Sequence, residues 1–305
     1  MYVAIKIDVD THDGMRDGVP RLLDCLKKHQ VPATFFLVMG PDRMGRALLQ
    51  LRHPRFLKKM LTTNAPGMYG WRTIFSGTLL PARPVATAFP DLVRRLAAEG
   101  HEAAVHAWDH RAWQDELPQF KTHRIRLHLE RAATALSTMI GHHPAGIGAP
   151  AWTTTPESLA IQDAMPFTYA SDLRASPPCR LQTPLGEMRL PQLPGTGLCL
   201  EELLGLGLRG EQELADRLLH DLDVDISPLR VLTLHAEVEG GRYLPVLDRI
   251  LPVLKQSGQV VTMVDAARQI GPLPLRHWCR KSLAGRAFSV TSSVAPALAG
   301  TDSRL

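Results

Sequence analysis

The order of short apolar runs and amphipathic stretches constrains this chain most. Strand-like runs at 2–9, 33–39, 102–106, 145–148, 167–171, 188–193, 231–234 and 259–263 are separated by helix-patterned stretches at 18–29, 90–99, 121–140, 156–163, 210–219 and 243–255. Strands that alternate with helices pair in parallel, because each crossover brings the chain back to the same end of the sheet. This many units predict an α/β fold closing toward a (β/α) barrel. Within 121–140, Ile125, Leu129, Ala132, Leu136 and Ile140 recur near helical spacing, so that helix is expected to lay its apolar face on the sheet. A chain of 305 residues can build one large core. Residues 1–272 therefore read as one catalytic-size domain. The tail, 273–305, turns basic and then Ser/Thr/Ala-rich, and is expected to be poorly ordered.

One connection breaks the pattern. About fifty residues, 41–90, separate the second strand from the next helix, and loops of that length are uncommon unless functional. From Arg43 to Pro90 there is no Asp or Glu, while Arg43, Arg46, Arg52, Arg55, Lys58, Lys59, Arg72 and Arg83 are all basic. Met44, Leu48, Leu51, Phe56, Leu57, Met60 and Leu61 interleave with them, and Tyr69 and Trp71 follow. Such a basic amphipathic insertion is either a hairpin packed on the barrel or an element lying in a membrane interface, with its cations on anionic head groups. Arg43, Arg46, Arg52, Arg55, Lys58, Lys59 and Trp71 are the expected contacts. Nothing resembling a nucleic-acid-binding motif accompanies the basic stretch, so no nucleic-acid partner is expected. No run of about 18 apolar residues predicts a membrane span. The first residues carry no secretory pattern, and Cys25, Cys179, Cys199 and Cys279 form no close pair, so a reducing, cytoplasmic setting is expected.

Three clusters carry chemistry. Asp8 and Asp10 end the first strand at i and i+2, on one face. In a βα barrel that strand end is where catalytic groups collect. His106 and His110 follow another strand at i and i+4, a spacing that brings two imidazoles together on a helical turn to share a metal ion. His235 ends a late strand, where it can act as a general acid. Taken singly, each has a plain structural alternative: a strand-end cap, a chance pairing among 13 histidines, a hydrogen-bonded core residue.

Together and in this order, these residues resemble the polysaccharide deacetylase (NodB homology) family, from residue 1 to about 270. The resemblance implies a distorted (β/α) barrel and a metal-dependent carbohydrate amidase. Asp8 would be the catalytic base, Asp10, His106 and His110 the metal ligands, and His235 the general acid. A His₂-carboxylate set accepts one divalent transition ion, Zn, Mn, Co or Fe. The family's Arg-x-Pro motif is altered to Gly148-Ala149-Pro150, so Arg174 is considered as a stand-in for the missing arginine. Asp172 matches an acidic residue of the family's fourth motif. Pro150 and Trp152 flank the expected oxyanion position, and Asp172 or Glu237 would support Asp8, His235 or the sugar. The acid-free insertion and altered third motif are similar to a branch that deformylates 4-deoxy-4-formamido-L-arabinose on undecaprenyl phosphate, giving the amino-arabinose donor for lipid A. The implied partners are a polyprenyl-phosphate-linked sugar and the cytoplasmic-side membrane surface of a bacterial inner membrane. The alternatives are a deacetylase of another N-acyl sugar, or a membrane-surface binding protein without catalysis.

Overall fold

The strand β1 (Tyr2–Val9) organises the molecule. Its Val3, Ile5, Ile7 and Val9 alternate outward into the larger apolar core, while Ala4 belongs to a second core on the opposite face. Lys6 and Asp8 share the face of Ala4, because strand side chains repeat every second residue. The computed structural model describes residues 1–47, 65–286 and 288–296.

Six strands run in the order β5 (Tyr169–Ala170), β4 (Gly146–Ile147), β3 (Glu102–Val105), β2 (Thr34–Leu37), β1, β8 (Leu229–His235), all parallel. A seventh, β9 (Gln259–Val261), pairs with the first residues of β1, below the stretch that β2 occupies. The edges β5 and β8 are bridged by the segment around 191–196: Leu193 N–H donates to Ala170 O and Thr196 N–H to Val231 O, each at 2.8 Å. The sheet is therefore a distorted barrel. The expected strand at 188–193 serves as this bridge.

Helices Val19–His29, Pro90–Ala98, Thr122–Ile140, Glu211–Asp223 and Leu244–Ser257 contribute apolar faces to the larger core. In Thr122–Ile140 the buried residues include Ile125, Leu129, Ala132 and Leu136, the spacing expected, and Gly141 ends the helix in a left-handed conformation (φ 80°).

One expectation changes. The tail enters a second sheet: β10 (Leu275–Lys281) pairs antiparallel with β11 (Val290–Val294) and parallel with β6 (Arg180–Thr183), which turns back on β7 (Gly186–Glu187). The cause is lateral pairing and packing. Trp278 lies against a small core of Leu159, Leu173, Cys179, Leu181 and Met188, and Val290–Ser293 are buried. In the insertion, a helix spans Ala65–Phe75 with a break at Gly70 (φ 74°), and Pro41 and Ser76 bridge to Pro84 and Leu80. Arg52, Arg55, Lys58 and Lys59 lie outside the described residues. Among the described residues no helix is long and apolar enough to cross a membrane.

Candidate functional site

The C-terminal ends of β1, β3 and β8 meet at one mouth of the barrel, and the strand-end motifs converge there. Asp10 Oδ1 stands 3.4 Å from His106 Nε2, and Asp10 Oδ2 stands 3.3 Å from His110 Nε2. Ligand atoms of these three residues lie within 4.8 Å of one another. Asp8 Oδ2 is 3.9 Å from His106 Nε2.

The histidines converge by a route other than the expected helical turn. His106 follows β3, Ala107 takes a left-handed turn (φ 67°), and His110 opens the helix His110–Glu116. Asp109 caps that helix by accepting from Ala112 N–H at 2.9 Å, so His110 is held at the helix start. His106 Nδ1 bonds Gly148 O at 2.8 Å, which makes Nδ1 the protonated nitrogen and leaves the Nε2 lone pair toward Asp10.

The donor set fits a divalent ion on two grounds. Burial lowers His106 to about 4, so its imidazole is neutral, as a ligand must be. Burial alone would raise Asp10, but His110 and His106 hold it far below the usual carboxylate range. Asp10 Oδ1 and Asp8 Oδ1 are buried without a hydrogen-bond partner among the described residues, which is costly unless something else satisfies them. A set of only two histidines and one carboxylate leaves coordination positions open, which suits catalysis rather than structure.

His235 ends β8, beside Asp8 in the register of β1 with β8, with its Nδ1 2.8 Å from Glu201 Oε2. Burial would lower it, but Glu201 outweighs burial and raises it to about 10, so His235 carries a proton to donate. Its backbone N–H donates to Glu239 Oε2 at 2.8 Å. Glu237 turns to the first strand, where its Oε1 accepts from Asp10 N–H, Thr11 N–H and Thr11 Oγ1 at 2.8–2.9 Å. It thereby fixes the turn that carries Asp10. Gly14 leaves space for it, since a Cβ there would sit 2.2 Å from Glu237 Oε1.

Pro150–Trp152 form a tight turn with Ala151 and Trp152 both left-handed (φ 52° and 51°). Trp152 lies edge-on to His235, with ring centroids 6.2 Å apart. Trp152 and Thr153 N–H donate to Ala149 and Pro150 carbonyls. Asp172 accepts from Ala149 N–H at 2.7 Å and from Gln192 Nε2 at 3.2 Å, so it supports this turn, not Asp8 or His235. Burial raises Asp172 to about 6.

Arg174 does not replace the missing arginine. Its Nη2 binds Glu202 Oε2 at 2.7 Å and Gly197 O at 2.6 Å, and its guanidinium stacks 4.4 Å from the Trp152 ring. Glu202 draws it away because a buried guanidinium needs a buried carboxylate. Arg43 and Arg46 are tied to acids of the barrel, Asp109 at 2.8 Å and Glu116 at 2.9 Å. Trp71 is 67% exposed and stacks on Phe75, with Leu79 exposed nearby in the chain.

Sequence reasoning missed Lys6, Glu201, Glu202 and Glu239. Lys6 carried a signal, being an isolated charge in an apolar strand at i−2 from Asp8. Glu201 and Glu202 carried none, because their partners are distant in sequence.

The polysaccharide deacetylase family profile matches residues 6–170. A protein of Shewanella sediminis (strain HAW-EB3), named "Probable 4-deoxy-4-formamido-L-arabinose-phosphoundecaprenol deformylase ArnD", is 33% identical over 264 residues, 86% of this chain and 85% of its own. A protein of the same name from Wigglesworthia glossinidia brevipalpis is 28% identical over 90% of this chain and 96% of its own. The crystal structure of a "probable Polysaccharide deacetylase from Pseudomonas aeruginosa PAO1" superposes with a TM-score of 0.60 at 16% identity, covering 88% of this chain and 89% of that one. At that identity the likeness concerns the fold alone.

Proposed function

The chain belongs to the polysaccharide deacetylase family, a carbohydrate amidase by descent, and from that premise we propose that it hydrolyses the formamide of 4-deoxy-4-formamido-L-arabinose carried on undecaprenyl phosphate. The observation that carries this is the convergence of Asp10, His106 and His110, with Asp8 and His235 side by side at the ends of β1 and β8. The relatives' printed names supply the substrate.

Asp10, His106 and His110 would hold one divalent transition ion, Zn, Mn, Co or Fe. When bound, such an ion acts as a Lewis acid on the amide carbonyl and acidifies water. Asp8 accepts the proton of the attacking water. His235, kept protonated by Glu201, delivers a proton to the departing sugar nitrogen. Because Trp152 and Thr153 N–H are already engaged, Ala151 N–H is the turn's candidate donor to the developing oxyanion. Glu237 holds the Asp10 turn, and Asp172 holds the turn at Pro150 and Trp152.

The insertion would dock the enzyme on the cytoplasmic-side membrane that carries the lipid substrate. Support comes from its acid-free sequence, including Arg52, Arg55, Lys58 and Lys59, and from the exposed Trp71 and Leu79. Arg43 and Arg46 tie this segment to the site through Asp109 and Glu116, so their cations are partly spent on the protein itself.

Mass spectrometry of undecaprenyl-phosphate formamido-arabinose after incubation with the protein tests the proposal. The expected result is conversion to the free amine. Cleavage of an acetamido sugar with no action on the formamide would replace this substrate by another N-acyl sugar.

A further inference from the structure

Lys6 is wholly buried at the centre of β1, with Thr34 and Thr233 as its parallel neighbours. Its Nζ lies 3.4 Å from Asp8 Oδ2 and donates to Ser171 O at 3.3 Å. Beneath and beside it are the rings of Phe36 and Trp152, with centroids 4.7 and 5.2 Å away. An ammonium in such surroundings is strongly disfavoured unless a carboxylate answers it. Asp8 does so, because residues at i and i+2 of a strand share a face.

Neither of the other two positions that bear on a cation here supplies one to Asp8. At Gly148 a Cβ would sit 2.8 Å from Phe36 Cδ1, the same ring on which Lys6 rests. Arg174 is committed to Glu202. We propose that Lys6 is the positioning residue for Asp8, gripping Oδ2 so that Oδ1 is presented to the water. Oδ1 is buried without a hydrogen-bond partner among the described residues, as a waiting proton acceptor would be. The proposal rests on Asp8 being the base of the amide hydrolysis described above.

Two measurements on the full chain test it: thermal melts of the metal-free protein, and steady-state kinetics with metal on undecaprenyl-phosphate formamido-arabinose. Three variants are compared with the parent protein, namely Lys6→Met, Asp8→Asn and the two combined. Each single change strands one buried charge and melts several degrees below the parent, while the double variant melts above both singles. That reversal is read even if Lys6→Met fails to fold alone. In the kinetics, Lys6→Met lowers kcat by about 10- to 100-fold with KM and metal content unchanged, and Lys6→Arg recovers part of the loss. A purely structural lysine would lower the yield of folded protein but not kcat per folded molecule. Melting losses that simply add, or a Lys6→Met kcat within about twofold of the parent, overturn the inference. Coupled melts in a protein that never cleaves the formamide would instead uphold the pair and sink the proposed substrate.

Discussion

His106 and His110 reach one point by different supports, a strand end held to Gly148 and a helix start capped by Asp109. Removing either imidazole leaves too few ligands, so His106→Ala or His110→Ala is expected to lose both metal content and at least about 100-fold in activity. Asp8→Asn separates the roles: metal content should persist while turnover falls to background, and near-normal turnover would show that Asp8 is not the base. Asp172 offers a test by pH. Burial raises it to about 6 in the fold, so between pH ~4 and 6 the native state keeps a proton that the unfolded chain releases. Its contribution is complete below about pH 4 and fades as pH climbs through 6, on the order of 3 kcal/mol in all. Asp172→Asn should flatten this part of the stability curve in denaturant melts across pH 4–7, and an unchanged slope would contradict the assignment. The five residues proposed to react were legible in the sequence because each belongs to a local motif that begins at a strand end. The partner of His235 was not, since Glu201 lies 34 residues away in sequence and local spacing does not encode the contact.

At the scale of elements, the alternation of Val3, Ile5, Ile7 and Val9 with Ala4, Lys6 and Asp8 explains why β1 was easy to read and why it bears the chemistry. The parallel strands were legible from their apolar runs. The second sheet was not, because β10 is mixed in polarity and forms only through pairing with β6 and β11. The turn after β1 depends on Gly14, under Glu237. Gly14→Ala should displace Glu237 and cost about 1–3 kcal/mol, lowering kcat with it, and a variant as stable and active as the parent would argue against the clamp. For the insertion, replacing Arg52, Arg55, Lys58 and Lys59 by Gln should weaken sedimentation with vesicles containing anionic lipid while sparing cleavage of a soluble formamide. Loss of both activities would assign the segment a folding role instead.

Across the whole molecule, the barrel sets the site at the C-terminal ends of its parallel strands. The site lies where three parallel strands end, so its geometry is inherited from the hydrogen-bond register of β1 with its neighbours. The second sheet reaches the same place from another side, since Arg286, between β10 and β11, stacks on Trp152 and pairs with Glu202. The uneven charge, basic in the insertion and net acidic elsewhere, fits the proposed anionic lipid-phosphate substrate. The proposed hydrolysis depends on a cation held among Asp10, His106 and His110. Elemental analysis of the purified chain, paired with formamide cleavage before and after chelation, tests that dependence most directly. One transition ion per chain, with activity lost on chelation and restored by the ion alone, is the predicted result; full turnover by metal-free protein would contradict it.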